Sequence, residues 1–480
     1  MAIAKKRACP LDDKQYNEKL QGRLLRKQAK TISWFLPANV LSAMGLTTPL
    51  LRALTLCTAF LIVVPFYWFM RATPLKNQTS FINDEHLSLP WYKQPHKRII
   101  QSTMTSHLSP AERNELYDRR RKEARDKASQ VFGDVFTGVI PGSIIETQDQ
   151  AQALRSLVDC WTRGRWAKTN VVSPIRHFQD PIYNTCDNKF YKTHNKTEWR
   201  NAVRYQWQPS CPLPAIAVDP ENWCRALDGR DVALVGDLVH YQMHELLLDA
   251  LRDGPVVCYG ELSCKGVKNL FDSCTKKKLT ESLDHTICTK PKEAVLRYLR
   301  NDLLVPTKRI TLNDGHPSGV IVDYPFTYGN SMARYKIYIL NRAPVAENDE
   351  TFIRHLIASI RTLRQVKPDA LIIYRSTSVG HPFCNEADSP LDGPLTEAER
   401  QELPYGWSEQ ARRNAMAREI VEAAGGLYVD LAALTDLRPD GHVGGQDCLR
   451  YCMPGPLDAW ALILYNVMLA LEGQLPIPPQ

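Results

Sequence analysis

Residues 233–251, ALVGDLVHYQMHELLLDAL, have the pattern with which many esterases present a catalytic serine. A short apolar run predicts a buried strand, Gly236-Asp237 predicts an abrupt turn, and an apolar-faced helix follows. A serine directly after the turn would lie at the carboxyl end of the strand, with its hydroxyl at the N-terminus of the helix. Leu238 occupies this position, so the pattern has no nucleophile.

Alternating strands and helices must position these residues. Apolar and amphipathic runs predict strands at residues 232–235, 336–340, 370–374 and 427–429, and helices at 239–251, 351–363 and 408–424. This alternation predicts an α/β domain with a mostly parallel sheet covered by helices on both faces. In such sheets the site lies outside the carboxyl ends of the strands. These ends carry Gly236-Asp237, Asn341-Arg342, Arg375-Ser376 and Asp430.

The composition excludes a disordered chain and argues against a nucleic-acid-binding surface. With 480 residues, 44% of them hydrophobic, the chain can bury one large core or two smaller ones. The net charge of +8 is modest for this length, and the basic runs DRRRKEARDK and KKKL contain no interleaved aromatic residues. We interpret both runs as solvated faces.

Residues 53–70 form an uncharged stretch of eighteen residues, which is long enough to cross a bilayer. The first thirty residues contain nine lysines and arginines against three acids, so the positive-inside rule keeps the N-terminus cytosolic. The alternative is a buried core helix. The sequence therefore predicts a single-pass type II membrane protein with a basic cytosolic tail (1–48), a transmembrane anchor (49–71), a luminal stem (72–155) and a luminal domain (156–475).

The predicted stem contains one clear helix start. Ser109 is a suitable N-cap, Pro110 takes the first helical position, and Glu112 can reach back to the cap. We therefore expect a charged helix that runs from this point toward Phe132.

Eleven of the thirteen cysteines lie beyond the membrane segment, from Cys160 to Cys452. In a secretory lumen they are expected to be mostly disulfides, and because eleven is odd, at least one stays free or pairs between chains. A structural zinc site at Cys448 and Cys452 is the alternative that their spacing leaves open. Asn77 and Asn195 begin N-glycosylation sequons on the same side of the membrane.

Between about residues 160 and 471 the chain contains, in order, the blocks DCWTRGRW, CDNKF, YQWQPSCPLP, LDGRDVALVGD, YILNRAP, YRSTSVGH, LTDLRPDGH and DCLRYCMPGPLDAWALILYN. In this order they resemble the trichome-birefringence-like family of plant and fungal polysaccharide O-acetyltransferases, also called PC-esterases. The resemblance implies an SGNH-hydrolase-like three-layer α/β fold and anchoring in a Golgi or secretory-pathway membrane. It also implies that the luminal domain moves acetyl groups onto polysaccharide, with no cofactor.

The catalytic triad of this family is incomplete here. The resemblance places the serine position at Leu238, the aspartate of the Asp-x-x-His pair at Asp447 and its histidine position at Arg450. Leucine cannot form an acyl intermediate, and a protonated arginine cannot act as the base. We expect Asp447 and Arg450, placed at a helix start, to form a structural ion pair. The alternative is a role in substrate binding.

Two strand-end residues match family positions. Asn341 corresponds to the asparagine that helps to bind the developing oxyanion in SGNH-type folds, although a turn asparagine explains it equally. Asp237, after Gly236, matches the family and could also simply cap the helix that follows.

The segment RSTSVGH offers the nearby residues that could replace the triad. Arg375, Ser378 and His381 align with a family segment of the form R-T-x-S-P-x-H. Ser376 or Ser378 with His381 could rebuild a serine–histidine pair, because a serine becomes a nucleophile when a histidine accepts its proton. We interpret His442 as a loop histidine rather than a base.

The resemblance also assigns six cysteines to disulfides. They are Cys160, Cys186, Cys211, Cys384, Cys448 and Cys452. We do not expect Cys448 and Cys452 to bond to each other, because a helical turn would hold their Cβ atoms too far apart.

The substituted triad predicts a pseudoenzyme that binds a glycan or a partner such as an active transferase. Aromatic residues in RGRW and YQWQP would be sugar platforms or part of the core. The alternative is an active O-acetyltransferase or acetylesterase with the relocated nucleophile. A type II glycosyltransferase would share the membrane topology, but no two aspartates are spaced as D-x-D.

We predict that changing Asn77 and Asn195 to Gln abolishes a glycosidase-sensitive mass shift of the protein, because both sequons lie on the luminal side. Gel mobility with and without glycosidase measures this. Protease protection of intact vesicles is the independent control, and a C-terminal domain that is digested in sealed vesicles would contradict the topology.

Overall fold

The computed structural model describes residues 108–136, 138–170, 175, 177, 185–195, 197–251, 284–305, 310–312, 320–322, 332–445 and 447–476. The basic tail, the predicted anchor at 49–71 and Asn77 lie outside these residues. Within the described ranges, no helix has both the length and the apolar character needed to cross a bilayer. Asn195 is described and is exposed.

The α-helices of the described part are α1 (Pro110–Phe132), α2 (Gln148–Thr162), α3 (Thr185–Phe190), α4 (Pro220–Leu227), α5 (Leu238–Leu251), α6 (Asp349–Val366), α7 (Glu397–Gln401), α8 (Gln410–Ala423), α9 (Ala432–Thr435) and α10 (Asp458–Leu471). The strands are β1 (Gly164–Lys168), β2 (Tyr205–Pro209), β3 (Val232–Gly236), β4 (Asp284–Cys288), β5 (Ala294–Arg300), β6 (Ile310–Leu312), β7 (Val320–Val322), β8 (Ile337–Leu340), β9 (Leu371–Arg375), β10 (Leu427–Val429), β11 (His442–Gly444) and β12 (Asp447–Tyr451).

The central sheet has the strand order β10-β9-β8-β3-β5-β4. Its neighbouring strands run parallel except for the antiparallel pair of β4 and β5. The chain leaves β3 toward β5 on one side and later returns to β8 on the other side. The carboxyl ends of β3 and β8 therefore flank the topological switch point, where α/β sheets bind their ligands.

Helices cover both faces of this sheet, which confirms the predicted α/β arrangement. Side chains alternate along β3, so that Val232 and Leu234 join one apolar cluster while Ala233 and Val235 join the other. Residues of α2, α4, α5 and α10 complete the first cluster. Residues of α1, α6 and α8 complete the second.

Helix α1 starts where the sequence predicts. Ser109 and Glu112 form the expected capping box, with Ser109 N donating to Glu112 Oε2 over 2.7 Å. The helix is charged, but Ala124, Ala128 and Phe132 are buried in the cluster that contains α6 and α8. This part of the stem proposed from the sequence thus packs on the domain that follows it.

Four disulfides staple the described part of the chain. They are Cys160–Cys211, Cys186–Cys452, Cys224–Cys288 and Cys384–Cys448. All six cysteines assigned from the sequence are thus oxidised, and Cys224 pairs with Cys288 in addition. Disulfides of this number are typical of proteins that mature in an oxidising compartment.

The structure corrects the local geometry at Cys448 and Cys452. Residues 447–451 form the strand β12, paired with β11, and not the start of a helix. At roughly 3.3 Å per residue a strand holds positions four apart at roughly 13 Å, which also prevents a mutual disulfide. Cys448 and Cys452 are therefore not bonded to each other, as predicted, but the reason is a strand and not a helical turn. Because each of these cysteines is in a disulfide, neither is free to bind zinc.

His177 connects two elements of the core. Its Nδ1 lies 3.1 Å from Asp249 Oδ2, near the end of α5, and its Nε2 lies 3.0 Å from Asp458 Oδ1, in the first turn of α10. Burial alone would lower the pKa of His177, but Asp458 and Asp249 outweigh this effect and raise the pKa to about 10. The imidazole is therefore charged at neutral pH and bridges two carboxylates.

We predict that this bridge makes stability depend on pH. The folded pKa of His177 lies above its ordinary value of 6.5, so the stabilisation is complete below pH 6.5 and is lost progressively as the pH rises toward 10. Urea unfolding should be measured for the wild type and for His177→Gln between about pH 6 and pH 9. The free energy of unfolding of the wild type should fall as the pH rises, and that of the variant should not. The exposed His194→Gln is the control, and parallel curves for all three proteins would contradict the prediction.

Candidate functional site

Polar residues from three neighbouring strands meet at the switch point. Asp237 follows β3, Asn341 follows β8, and Arg375 ends β9. Their side chains are buried, with 3% or less of each residue exposed. The structure therefore brings together three of the residues that the sequence placed at strand ends.

Asp237 caps helix α5 and pairs with Arg375. Its Oδ1 accepts a hydrogen bond from His240 N over 2.8 Å and one from Arg375 Nη2 over 3.1 Å. Burial raises the pKa of Asp237, and the guanidinium of Arg375 opposes this shift. The carboxylate of Asp237 thus accepts hydrogen bonds from within the protein.

Arg375 uses its donors within the protein. Its Nε donates to His240 Nδ1 over 3.2 Å, and its Nη1 donates to Ser376 O over 3.0 Å. The guanidinium also lies 4.8 Å from the ring centroid of Trp460. His240 Nε2 faces the carbonyl of Ile339 at 2.9 Å, so this nitrogen carries the proton and Nδ1 accepts.

Two effects keep His240 neutral. Its complete burial and the charge of Arg375 lower its pKa well below the ordinary value. A neutral imidazole at this place can accept the hydrogen bond from the arginine. Sequence reasoning missed His240, although its position three residues after a capping aspartate is a recognisable signal.

Asn341 locks the ends of two strands together. Its Oδ1 accepts from Asp237 N over 3.1 Å, and its Nδ2 donates to Arg342 O and to Thr377 Oγ1 over 2.8 Å and 3.2 Å. Both amide hydrogens are therefore committed to the protein in this arrangement. A Cβ at Gly236 would lie 2.8 Å from Asn341 Oδ1, so the tight approach requires glycine there.

Leu238 lies at the first position of α5 and is only 3% exposed. It belongs to the same apolar cluster as Leu449 and Tyr451 of β12. One turn further along α5, Gln242 donates to Tyr451 O over 2.6 Å and accepts from Tyr451 N over 2.9 Å. The amide of Gln242 thus joins α5, which carries Leu238, to β12, which carries Arg450.

Asp447 and Arg450 form the ion pair that the sequence suggested. Arg450 Nε lies 2.5 Å from Asp447 Oδ2, and Asp447 Oδ1 accepts from Arg450 N over 3.0 Å. The pair lies on the hairpin strand β12, so the expected helix start is wrong. The carboxylate turns toward the guanidinium and the backbone of its own strand.

The segment after β9 holds the serines and the histidine that the sequence suggested as a replacement pair. Ser376 Oγ accepts from Ala432 N over 2.7 Å, whereas the buried hydroxyl of Ser378 makes no hydrogen bond to any described residue. His381 Nδ1 lies 2.7 Å from His442 Nε2, and His381 Nε2 lies 3.0 Å from Asp436 O. Burial lowers the pKa of His381 to about 4. Its two nitrogens thus face His442 and a carbonyl.

The aromatic blocks RGRW and YQWQP lie on a separate antiparallel ribbon of β1 and β2. Trp166 and Trp207 face each other across it, with ring centroids 5.5 Å apart. Both rings are half-buried, which differs from the full burial of Trp161 and Trp460.

Comparison with known proteins identifies distant relatives of this chain. No family model matches the chain. It is 23% identical over 328 residues to protein trichome birefringence-like 40 of Arabidopsis thaliana. This alignment covers 63% of this chain and 86% of the relative. The chain is 22% identical over 365 residues to xylan O-acetyltransferase 2 of Oryza sativa subsp. japonica, which covers 64% and 69%. This weak homology supports the trichome-birefringence-like family.

A shorter match points to the same group. The chain is 28% identical over 99 residues to xyloglucan O-acetyltransferase 1 of Populus trichocarpa, which covers 17% of this chain and 22% of the relative. The names of the two O-acetyltransferases among these relatives specify two polysaccharides, xylan and xyloglucan.

We predict that Arg375→Met lowers the free energy of unfolding by about 3–5 kcal/mol, because it removes the ion-pair partner of the buried Asp237. Urea unfolding measures the loss. Adding Asp237→Asn should recover part of it, since the unpaired charge is then absent. Arg119→Met, at an exposed position of α1, is the control. A loss below about 1 kcal/mol for Arg375→Met would contradict a structural ion pair.

Proposed function

We propose that this chain is a non-catalytic member of the polysaccharide O-acetyltransferase group that binds a glycan without turning it over. The relatives that act on xylan and xyloglucan support a polysaccharide as its partner. The observation that carries the proposal is the buried Leu238 at the position where an acyl-serine would form. An SGNH-hydrolase-like site on this frame would need a hydroxyl there.

The base position supports the same conclusion. A triad histidine must accept a proton from the serine and return it to the leaving group. Arg450 keeps its proton at physiological pH, and its Nε is held against Asp447. Neither of the two proton-transfer steps has a residue to perform it at these positions.

The protein is proposed to reside in the Golgi or another secretory membrane as a single-pass type II protein. The disulfides of the described domain support an oxidising compartment. The anchor itself rests on the uncharged run at residues 53–70 and the basic residues before it. In such a membrane a partner would be an active transferase that shares the glycan.

The alternative is an active O-acetyltransferase or acetylesterase with a relocated nucleophile. The buried hydroxyl of Ser378 favours it, because this hydroxyl makes no hydrogen bond within the described ranges, and such a buried group is costly. The position of His381 argues against it, since its nitrogens face His442 and Asp436 O. A pKa of about 4 also makes His381 a weak base.

We predict that the purified protein does not hydrolyse an acetyl ester or transfer its acetyl group, and that Leu238→Ser with Arg450→His gains turnover. The serine would stand at the N-terminus of α5, and Gln242 already holds β12 beside that helix. Ester hydrolysis and acetyl transfer to xylan measure both proteins. Leu238→Ala with Arg450→Gln is the matched control without a nucleophile or a base.

One result would contradict this proposal. Turnover by the unmodified protein that is lost on Ser376→Ala, Ser378→Ala or His381→Ala would show that a relocated nucleophile exists. The variants Ser376→Ala and Ser378→Ala separate the two serines, because only Ser376 accepts the hydrogen bond from Ala432 N.

A further inference from the structure

The ribbon of β1 and β2 borders a cavity of about 920 Å³. The other wall is the loop of residues 389–394, and Ala433 and Leu437 form part of its lining. Trp166, Tyr205 and Trp207 contribute aromatic surface. We call this cavity the ribbon groove. Its size is in the range of small-molecule and oligosaccharide sites rather than of packing defects.

The two tryptophan rings of the ribbon groove are held in place by hydrogen bonds to backbone carbonyls. Trp166 Nε1 donates to Leu434 O over 2.8 Å, and Trp207 Nε1 donates to Trp161 O over 2.9 Å. The guanidinium of Arg438 lies 4.4 Å from the ring centroid of Trp166. Because the polar edges of both indoles are satisfied inside the protein, their remaining exposed surface is apolar and rigid.

The ribbon groove also carries an excess of positive charge. Arg163, directly before β1, and Arg165, on β1, line it together with one acid, Asp392. Both arginines are exposed, and Arg165 donates only a long hydrogen bond of 3.3 Å to Gln208. Neither forms an ion pair with an acid in the part of the chain that the structure describes. Two exposed guanidinium groups and the aromatic side chains that line the same groove suit a ligand that has both apolar faces and carboxylates.

We propose that the ribbon groove binds a polysaccharide segment that carries carboxylate groups, as uronic acid residues do. The apolar faces of the sugar rings lie against Trp166 and Trp207, and the carboxylates pair with Arg163 and Arg165. This inference rests on the proposed function, and it assigns glycan binding to a surface other than the strand ends. A chain bound here does not need the triad positions.

The test uses the full chain in detergent and two immobilised probes, polygalacturonate and the same polymer after reduction of its carboxyl groups. The unmodified protein should bind polygalacturonate at least tenfold more tightly than the reduced polymer. Arg163→Ala with Arg165→Ala should remove this preference. Trp207→Ala should weaken binding of polygalacturonate by tenfold or more. Trp199→Ala and Arg119→Ala, which change an exposed tryptophan and an exposed arginine elsewhere, are the matched controls.

The outcomes separate this inference from the proposed function. Binding that survives both the arginine pair and the tryptophan variant places the glycan elsewhere and overturns the groove, while the proposed function stands. Equal binding of the two polymers overturns the acidic ligand. Absence of binding to either polymer by the unmodified protein overturns this inference, while the proposed function, which names no particular glycan, stands. The arginine variant keeps the test decisive if Trp207→Ala fails to fold, since Arg163 and Arg165 are exposed.

Discussion

The buried ion pair between Asp237 and Arg375 is the interaction on which the strand ends depend. It joins β3 to β9 across the intervening β8, whose Asn341 bonds to the backbone of the same aspartate. A buried pair is stable only if its remaining donors and acceptors are satisfied. His240 and the carbonyl of Ser376 meet that condition for Arg375. The carboxyl ends of β3, β8 and β9, where a reacting ester would lie, are therefore joined by a network of buried polar contacts.

The same frame accommodates an apolar residue at the first position of α5. Leu238 joins the apolar cluster of this helix and leaves no buried polar group without a partner at its position. Gln242 still fastens β12 to α5 through the backbone of Tyr451, which does not depend on the side chain at position 450. Arg450 then finds its counter-charge three residues away in Asp447, at the half-exposed edge of the hairpin.

The elements with a regular hydrophobic period could be predicted from the sequence. Elements whose shape depends on contacts between distant residues could not. The strands β3, β8, β9 and β10 and the helices between them are recognisable because each has an apolar run or face of the right period. Strand β5 was missed because Arg297 and Arg300 interrupt its apolar run, and Arg300 is buried only because Asp302 pairs with it. The hairpin β11–β12 was mistaken for a helix start, since its shape depends on partners far away, such as Gln242. The six oxidised cysteines were expected from the family resemblance, whereas Cys224–Cys288, which joins a helix to the edge strand, was not assigned from it.

The ribbon of β1 and β2 draws its support from residues other than those of the strand-end core. Trp166 and Trp207 bond to the carbonyls of Leu434 and Trp161, and the Cys160–Cys211 disulfide ties the end of α2 to the segment after β2. Arg438, under Trp166, is itself held by Asp440. None of these contacts involves Leu238, Asp447 or Arg450. Substitutions at these three positions would therefore leave the aromatic surface in place, because its supporting contacts lie elsewhere.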